Sequence, residues 1–534
     1  MVVLSSFQLT PSDQGVTLSQ TSLSPGPDNA AAEPGGGGGP PLAVDLDGTL
    51  LFTDTLFEAL AEHVRRRPVW TLWQMLQLPF GIARVKARLQ STARLDIDRL
   101  PVNDPVRRYC IEARNAGRQV WLVTAADQSV ADAMAQHFTF FHRAIGSDGL
   151  INNKGEAKAR RLSELAPEGF EYIGDSRADL KVWKHARAAS LVGGGPGRRQ
   201  AVEQMGTPVA AAFERPARGL GAWLRAMRLH QWIKNSLIFI PALLAMRITD
   251  PDVALTLFLA LPLMGLVASG TYVLNDLLDL SADRGHPTKT GRPFASGQLK
   301  LWQGFMAAPL MILTGLTGGF LISTGFGLIL LIYLGITLAY SFRLKRVALA
   351  DTLVLSSLYT LRLVMGAVLA GVMLSQWLMV FSMFLFVSLS LAKRHVEVLR
   401  RIDAGERTLA NRGYRAEDAG LTLSLGVASA TVVPLILVLY ILESAWPSGL
   451  YQTPEALWVA PIALSVWLMR VWLLANRGEL HDDPVVFALK DPQSLMIGGI
   501  LAAGMLAAVL LPPGSADLLN ITDPLRSAPG GAGS

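Results

Sequence analysis

Long apolar stretches in the C-terminal half of the chain limit most strongly what it can fold into. From about residue 233 onward there are about nine of them, each near the length that spans a bilayer. A backbone inside hydrocarbon must satisfy its own hydrogen bonds, so these stretches are predicted to form membrane helices. The chain of 534 residues is 51% hydrophobic and 17% charged, which fits this class. The stretches are centred near residues 241, 264, 312, 333, 360, 382, 432, 464 and 503.

The segments between the apolar stretches alternate in charge. One set is rich in Lys and Arg, whereas "RITDPD", "STGFG", "LSQ" and "SAWPSGLYQTPEA" are nearly free of them. The positive-inside rule then predicts a protein of the bacterial inner membrane, with the basic loops and the N-terminal domain in the cytoplasm. These loops also explain the net charge of +6, so nucleic acid is not an expected partner. The sequence leaves an oligomer open.

Composition divides the chain into five parts. Residues 1–40 are rich in Ser, Pro and Gly and are predicted to be a disordered tail. The lone Cys110 excludes an intramolecular disulfide. The remaining parts are a soluble domain at 41–205, a linker at 206–224, the membrane domain at 225–513 and a C-terminal tail at 514–534.

Three stretches of the soluble domain share one design, a short apolar strand that ends in polar residues. They are "LAVDLDGTL", "GRQVWLVTAADQS" and "FEYIGDSRADL". Helical patterns lie between them, which predicts a Rossmann-like α/β domain with a parallel sheet. Its ligand site is expected at the carboxyl ends of the strands. The amphipathic stretch "VWTLWQMLQLPFGIARVKARL" is expected to form a small helical cap, and contact with the membrane surface is the alternative.

The polar residues at these strand ends resemble the motifs of the haloacid dehalogenase (HAD) superfamily, of the phosphatase kind. The resemblance covers about residues 41–200. It consists of four motifs in order: Asp45 with Asp47, Thr124, Lys158, and Asp175 with Asp179.

The HAD resemblance implies a role for each motif. Asp45 would attack phosphorus, and Asp47 would protonate the leaving oxygen and then activate water. Thr124 and Lys158 would hold the transferring oxygens, with Lys154 as a rival for the lysine role. A degenerate, non-catalytic module is the alternative. The implied Mg²⁺ ligands are Asp45, Asp47, Asp175 and the backbone carbonyl of Leu46, with Asp179 in support.

The segment "NDLLDLSADRGHPTKTGRP" brings charge to the edge of an apolar stretch. Asn275, Asp279 and Asp283 are spaced four apart, and Asp276 lies three before Asp279, so a helix stacks them on one face until Pro287 ends it. Such carboxylates repel one another unless cations neutralise them, and oxygen-only ligands favour Mg²⁺. The segment therefore predicts a metal-diphosphate site, and a solvated interfacial loop is the alternative.

This segment also resembles the first motif of the UbiA prenyltransferase superfamily, NDxxDxxxD followed by basic residues. The resemblance spans about residues 225–512 and includes "RLHQWIKN", with Lys234 and Asn235 before the first apolar stretch. It implies an all-α domain of about nine membrane helices. The second acidic motif of the superfamily departs here, since "YSFRLKRVALADTLVLSSLYTLRLVMGA" offers only Asp351 as a carboxylate. That departure resembles the branch of decaprenyl-phosphate phosphoribosyltransferases.

The branch implies phosphoribosyl pyrophosphate (PRPP) as donor and a polyprenyl phosphate as acceptor. Asn275, Asp276, Asp279 and Asp283 would hold Mg²⁺ on the pyrophosphate, and the three acids would be catalytic. The other assignments are Lys289, Arg292 and Lys345 for the donor phosphates, Arg362, Lys393 and Arg394 for the lipid phosphate, Tyr340 and Asp351 for the ribose, and Lys234 and Asn235 as substrate-binding residues.

Together the two domains predict a two-step membrane enzyme. The membrane domain would transfer 5-phosphoribose to the lipid, and the HAD domain would remove the 5-phosphate to give polyprenylphosphoryl ribose. A UbiA enzyme that prenylates an aromatic acceptor is the first alternative. A transporter or lipid-binding protein with a regulatory HAD domain is the second.

Overall fold

The computed structural model describes residues 39–77, 82–148, 152–215, 219–286, 288–403, 405, 413–480 and 484–512. The tail predicted at 514–534 lies outside these ranges, as does nearly all of the tail predicted at 1–40.

A six-stranded parallel sheet forms the centre of the soluble domain. Its order is β3-β2-β1-β4-β5-β6, so the two halves of the sheet extend in opposite directions from β1. A crevice forms at such a switch point, outside the carboxyl end of β1 where Asp45 follows. The strands are β1 Leu42–Val44, β2 Val120–Asp127, β3 Arg143–Ser147, β4 Glu171–Gly174, β5 Ala188–Val192 and β6 Val209–Phe213.

The sixth strand lies inside the segment predicted as a linker. Strand β6 pairs in parallel with β5, so the sheet continues past the boundary predicted at residue 205. Its side chains alternate between half-buried and exposed, as expected for a strand at the edge of a sheet. The linker prediction was wrong here because "VAAAF" has the weak β preference of alanine.

Helices cover both faces and the crevice end of the sheet. They are α1 Thr55–Arg66, α2 Pro68–Leu76, α3 Ile82–Thr92, α4 Asp104–Asn115, α5 Gln128–His137, α6 Glu156–Leu165, α7 Leu180–Trp183 and α8 Gly195–Gln204. The stretch predicted as a cap forms α2 and α3, which pack against α1. The α/β fold with a small helical cap is therefore confirmed.

Eight helices among the described residues are long and apolar enough to cross a membrane. They contain α11 Pro251–Leu278, α13 Leu301–Ile322, α14 Thr324–Phe342, α15 Ala350–Ala370, α16 Gln376–Asp403, α17 Ala419–Tyr440, α18 Val459–Asn476 and α20 Pro492–Leu510. Shorter helices are α9 Leu220–Ala226, α10 Ile240–Leu244, α12 Leu280–Arg284 and α19 Pro484–Lys490. The chain is an integral membrane protein with an all-α C-terminal domain.

The stretch predicted to span near residue 241 is not one of these long helices. A 3-10 helix, Leu229–Phe239, runs into the short α10 there. Pro241 lies in the first turn of α10, the part of an α-helix that tolerates proline best. Lys234 and Asn235 are buried within the 3-10 helix, so the stretch carries polar groups into the bundle.

A buried ion pair joins the two domains. Arg284, at the end of α12, donates to both carboxylate oxygens of Glu58 in α1, at 3.0 and 2.6 Å. The two side chains are only 7% and 6% exposed, and Thr53 also donates to Glu58. Such a pair is costly to break, because removing one partner leaves a buried charge uncompensated.

Glu58→Gln is expected to destabilise the full chain, because Arg284 would stay buried beside a neutral amide. The expected loss is about 3–5 kcal/mol, measured as a lower midpoint of thermal unfolding in detergent. Glu62→Gln is the matched control on the same helix, because its partner Arg66 is half exposed. Surface pairs of that kind contribute at most about 1 kcal/mol. Equal midpoints for the two variants would show that the Glu58–Arg284 pair does not hold the domains together.

Candidate active sites

Asp45 and Lys158 form the centre of the phosphatase-like site. Asp45 follows β1 and is buried at the crevice. The Nζ of Lys158, from α6, donates to Asp45 Oδ1 at 2.7 Å and to the Tyr172 hydroxyl at 2.9 Å. Lys154 is exposed, so the structure brings Lys158 rather than its rival to Asp45.

Three carboxylates converge at this site. Ligand oxygens of Asp45, Asp175 and Asp179 lie within 4.8 Å of one another, which no other group of three such residues does in the described part of the chain. The pKa of Asp45 is raised to about 7: burial is the largest cause, the charge of Lys158 opposes it, and the charges of Asp179 and Asp175 add to it. Excess negative charge held by oxygen ligands fits a divalent cation such as Mg²⁺.

Asp47 and Leu46 lie outside this group of ligands. The Asp47 carboxylate accepts from the Thr55 backbone N–H at 2.8 Å and from the Thr55 hydroxyl at 3.3 Å. Burial raises the pKa of Asp47 well above its ordinary value, which suits a carboxyl that donates a proton. The Leu46 carbonyl accepts from two backbone amides of the same turn, so both lone pairs are used. The structure therefore does not support either group as a metal ligand.

Thr124 is fully buried in β2 beside the site, and its Oγ1 accepts from the Ala126 backbone N–H at 3.0 Å.

Lys86 is a functional candidate that the sequence did not reveal. Its Nζ reaches from α3 and donates to the Ala125 carbonyl at 2.6 Å. Burial lowers the pKa of Lys86, and the negative charges of Asp47 and Asp54 oppose that shift. The position of a cap helix over a sheet edge depends on long-range packing, so no local motif marks this lysine.

Arg215 is a second residue that sequence reasoning missed. Its Nη2 donates to Asp175 Oδ2 at 2.6 Å and also to the carbonyl of Gly48. Gly48 has φ +79°, and a Cβ there would lie 2.6 Å from Arg215 Nη2 and 2.6 Å from Asp175 Oδ2. The glycine of "DLDGT" is therefore required by its backbone conformation and by this close approach.

A basic cavity of about 1040 Å³ opens beside Asp175. Arg177, Arg198 and Arg215 of the soluble domain line it, and so does Lys300 at the start of α13. The membrane domain thus contributes a cation to a cavity at the phosphatase-like site. Convergent positive charge of this kind attracts phosphorylated ligands.

The acids of the second site alternate with basic partners. Arg292 bridges Asp276 and Asp283, at 3.0 and 2.6 Å, and Arg228 also donates to Asp276. Lys345 bridges Asn275 and Asp279, at 3.2 and 2.7 Å. The structure therefore brings the four predicted ligands together with Arg292 and Lys345.

The geometry of this second site differs from the prediction in two ways. The helix α11 ends at Leu278 rather than at Pro287, and Asp279 lies at the break before α12. The carboxylates are also paired with Arg228, Arg292 and Lys345 and do not form a group of three within 4.8 Å among the described residues. Because Arg292 and Lys345 lie between these oxygens, the site stabilises positive charge there. The side-chain ligand atoms predicted for the metal are all oxygens, which suits Mg²⁺.

Arg228 is the main residue missed at this site. It has φ 52°, and its guanidinium lies 5.0 Å from the centroid of the Tyr272 ring. A left-handed backbone at a non-glycine residue is strained and persists only where surrounding contacts hold it. Its place as the first residue of the quoted "RLHQWIKN" is the one local signal that could have indicated it.

Three residues assigned to the ribose and the lipid phosphate contact other protein groups within the bundle. Arg394 pairs with Asp351 at 2.8 Å, both almost fully buried, and Tyr414 donates to Asp351 at 2.7 Å. Arg362 donates to Asn235 at 3.2 Å and to the Tyr333 hydroxyl at 3.0 Å. These contacts stabilise the bundle, and the substrate-binding roles of Asp351, Arg362 and Arg394 stay predictions.

The remaining substrate-binding assignments fall on Lys234, Lys289, Tyr340 and Lys393. Lys234 is buried, and its Nζ lies 5.7 Å from the centroid of the Tyr359 ring. Lys289, Tyr340 and Lys393 are half-buried, in the loop after α12, in α14 and in α16 respectively. Their roles stay predictions.

The fold and the two sites define a membrane enzyme with one hydrolase-like and one transferase-like domain. Residues 42–184 match the haloacid dehalogenase-like hydrolase family, and residues 237–490 match the UbiA prenyltransferase family. The chain belongs to the UbiA prenyltransferase family and carries a haloacid dehalogenase-like hydrolase domain in its N-terminal region. Both predicted resemblances are confirmed.

Similar proteins come from several bacteria. The chain is 42% identical over 469 residues to the protein y4nM of Sinorhizobium fredii, which covers 88% of this chain and 91% of that protein. It is 32% identical over 288 residues to the nodulation protein NoeC of Azorhizobium caulinodans, covering 53% and 92%. It is 29% identical over 301 residues to the decaprenyl-phosphate phosphoribosyltransferase of Mycobacterium tuberculosis, covering 55% and 96%.

Proposed function

We propose that this protein transfers 5-phosphoribose from PRPP to a polyprenyl phosphate and then removes the 5-phosphate, giving polyprenylphosphoryl ribose. The observation that carries the proposal is the alternation of acids with Arg228, Arg292 and Lys345 at the end of α11. Two phosphorylated substrates require cations as well as metal ligands. The similarity to decaprenyl-phosphate phosphoribosyltransferases supports the same reaction class.

In the first step the bond between C1 of the ribose and the pyrophosphate oxygen breaks, and an oxygen of the lipid phosphate forms a bond to C1. The pyrophosphate leaves with the bonding electron pair. Asn275, Asp276, Asp279 and Asp283 would hold Mg²⁺, which supplies positive charge for the departing pyrophosphate. Arg292 and Lys345 contact these acids and would turn to donate to the phosphate oxygens. These new contacts would stabilise the charge that develops on the leaving group.

In the second step Asp45 attacks the phosphorus of the 5-phosphate, and the bond from phosphorus to the ribose oxygen breaks. Asp47 gives its proton to that oxygen and then takes one from the water that hydrolyses the aspartyl-phosphate. Lys158 and Thr124 hold phosphoryl oxygens. Asp45 and Asp175 would hold Mg²⁺, with Asp179 orienting Asp175 through the backbone N–H of Asp175 at 3.2 Å.

The docking of the domains supports a coupling of the two steps. The Glu58–Arg284 pair fixes the soluble domain next to the acidic segment, and Lys300 extends from the membrane domain to the cavity at Asp175. A lipid intermediate would meet the second site at a high effective concentration. By the positive-inside rule, both sites face the cytoplasm of a bacterial inner membrane.

The proposal is tested with PRPP labelled in the ribose and the purified full chain in liposomes. Label is expected in the organic phase only when both polyprenyl phosphate and Mg²⁺ are present. Label from a prenyl diphosphate in an aromatic acid would instead establish the aromatic prenyltransferase. Turnover of neither donor would favour the transporter or lipid-binding alternative.

A further inference from the structure

Helix α2 presents its apolar residues outward and its polar residues inward. Val69, Leu72, Trp73 and Leu76 follow helical i, i+3, i+4, i+7 spacing and are 80%, 63%, 61% and 63% exposed. On the inner side, polar Thr71 and Gln74 are the buried residues of the helix. This is the reverse of the pattern of a helix that packs onto a soluble core, so the apolar stripe of α2 requires another apolar environment.

The helix that precedes α2 is docked on the membrane helices. Phe57 of α1 lies 6.1 Å, centroid to centroid, from Phe305 of α13. Ala61 of α1 belongs to one buried cluster with Val273 of α11 and Ala308 of α13. These residues lie one to two turns inside the ends of two membrane spans, so α1 reaches the level of the bilayer surface. Arg67 alone separates α1 from α2.

Three basic residues lie next to the apolar stripe of α2. Arg65, Arg66 and Arg67 are consecutive and exposed directly before α2. Basic residues close to an anionic leaflet are attracted to its headgroups. Trp73 adds a ring of the kind enriched where hydrocarbon meets headgroups. A helix with this stripe and these neighbours has the features of one that lies in the interface plane.

We propose that α2 is an interfacial membrane helix. Val69, Leu72, Trp73 and Leu76 lie at the acyl boundary of the bilayer that holds the chain's own spans, and Arg65–Arg67 contact anionic headgroups. The cap of the hydrolase domain is thereby anchored at the lipid surface. This inference depends only on the membrane spans and the docking of α1, and it stands whichever lipid the enzyme acts on.

The test places one spin label on the stripe in the full chain. Leu72→Cys is labelled with a nitroxide, Cys110 being buried, and the protein is reconstituted in vesicles of phosphatidylcholine and phosphatidylglycerol. The matched control is Lys184→Cys, an exposed position of the soluble domain. The ratio of oxygen collisions to collisions with a water-soluble nickel complex is expected to be several-fold higher at position 72 than at position 184. Neutralising Arg65 and Arg67 with glutamine should lower that ratio.

Two results would overturn the proposal. Equal ratios at the two positions would place α2 in water. A label at position 72 that is shielded from both oxygen and nickel would show that protein, either another part of this chain or a second copy, covers the stripe. A midpoint of thermal unfolding equal to that of the wild-type chain shows that the Leu72→Cys variant is folded.

Discussion

Replacing Asp276 and Asp279 together by asparagine is expected to reduce lipid glycosylation by at least about 100-fold. Asp276 accepts from Arg228 and Arg292, and Asp279 accepts from Lys345. The double change removes two of the charges that would hold Mg²⁺ and leaves the bridging cations unbalanced. The first step should therefore lose donor binding and leaving-group stabilisation together. The measurement is the initial rate of label transfer from PRPP to polyprenyl phosphate at saturating Mg²⁺.

Asp252→Asn is the matched control for this double variant. Asp252 is exposed at the other end of the same helix, α11, so its replacement should leave the rate of label transfer unchanged. Hydrolysis of a soluble phosphate ester by the double variant is expected to continue, because Asp45 lies in the other domain. If Mg²⁺-dependent donor binding and transfer both survive in the double variant, the acidic segment is not the donor site.

Asp45→Asn is expected to stop the second step and leave the first intact. An amide cannot attack phosphorus, so dephosphorylation should fall by at least about 1,000-fold, as losses of catalytic nucleophiles do. The variant also removes the partner of Lys158 and one of the three converging carboxylates. The lipid product should accumulate with its 5-phosphate in place, which chromatography of the extracted lipid resolves from the dephosphorylated form.

Asp132→Asn, an exposed position on α5, is the control and should give the wild-type product. A wild-type product distribution from Asp45→Asn would mean that this domain does not remove the phosphate. Loss of the ribosylated lipid altogether would point to a structural effect, which the midpoint of thermal unfolding distinguishes.

The sequence predicted the features that depend on local pattern. Apolar length located eight membrane helices, and strands that end in Asp or Thr located the edge of the sheet where Asp45, Thr124 and Asp175 meet. The spacing of Asn275 to Asp283 marked the second site. In each case the signal lies within one helix or strand and needs no knowledge of distant contacts.

What the sequence could not predict depends on which distant residues meet. Asp351 was expected at the ribose and Arg362 at the lipid phosphate; in the structure Asp351 pairs with Arg394, and Arg362 donates to Asn235. Nothing in the local sequence distinguishes a cation that binds substrate from one that neutralises a buried acid. Arg228 donates to Asp276, which lies 48 residues away in the sequence, and only the packing of the bundle decides that contact.

The mass of the lipid formed by the wild-type chain tests the central claim most directly. The protein in liposomes is incubated with PRPP, Mg²⁺ and polyprenyl phosphate, and the molecular mass of the extracted lipid is measured by mass spectrometry. The expected product is the acceptor plus one ribosyl group without a further phosphate, with equal amounts of pyrophosphate and inorganic phosphate released. An unchanged acceptor, or a final product that still carries the 5-phosphate, would contradict the two-step enzyme.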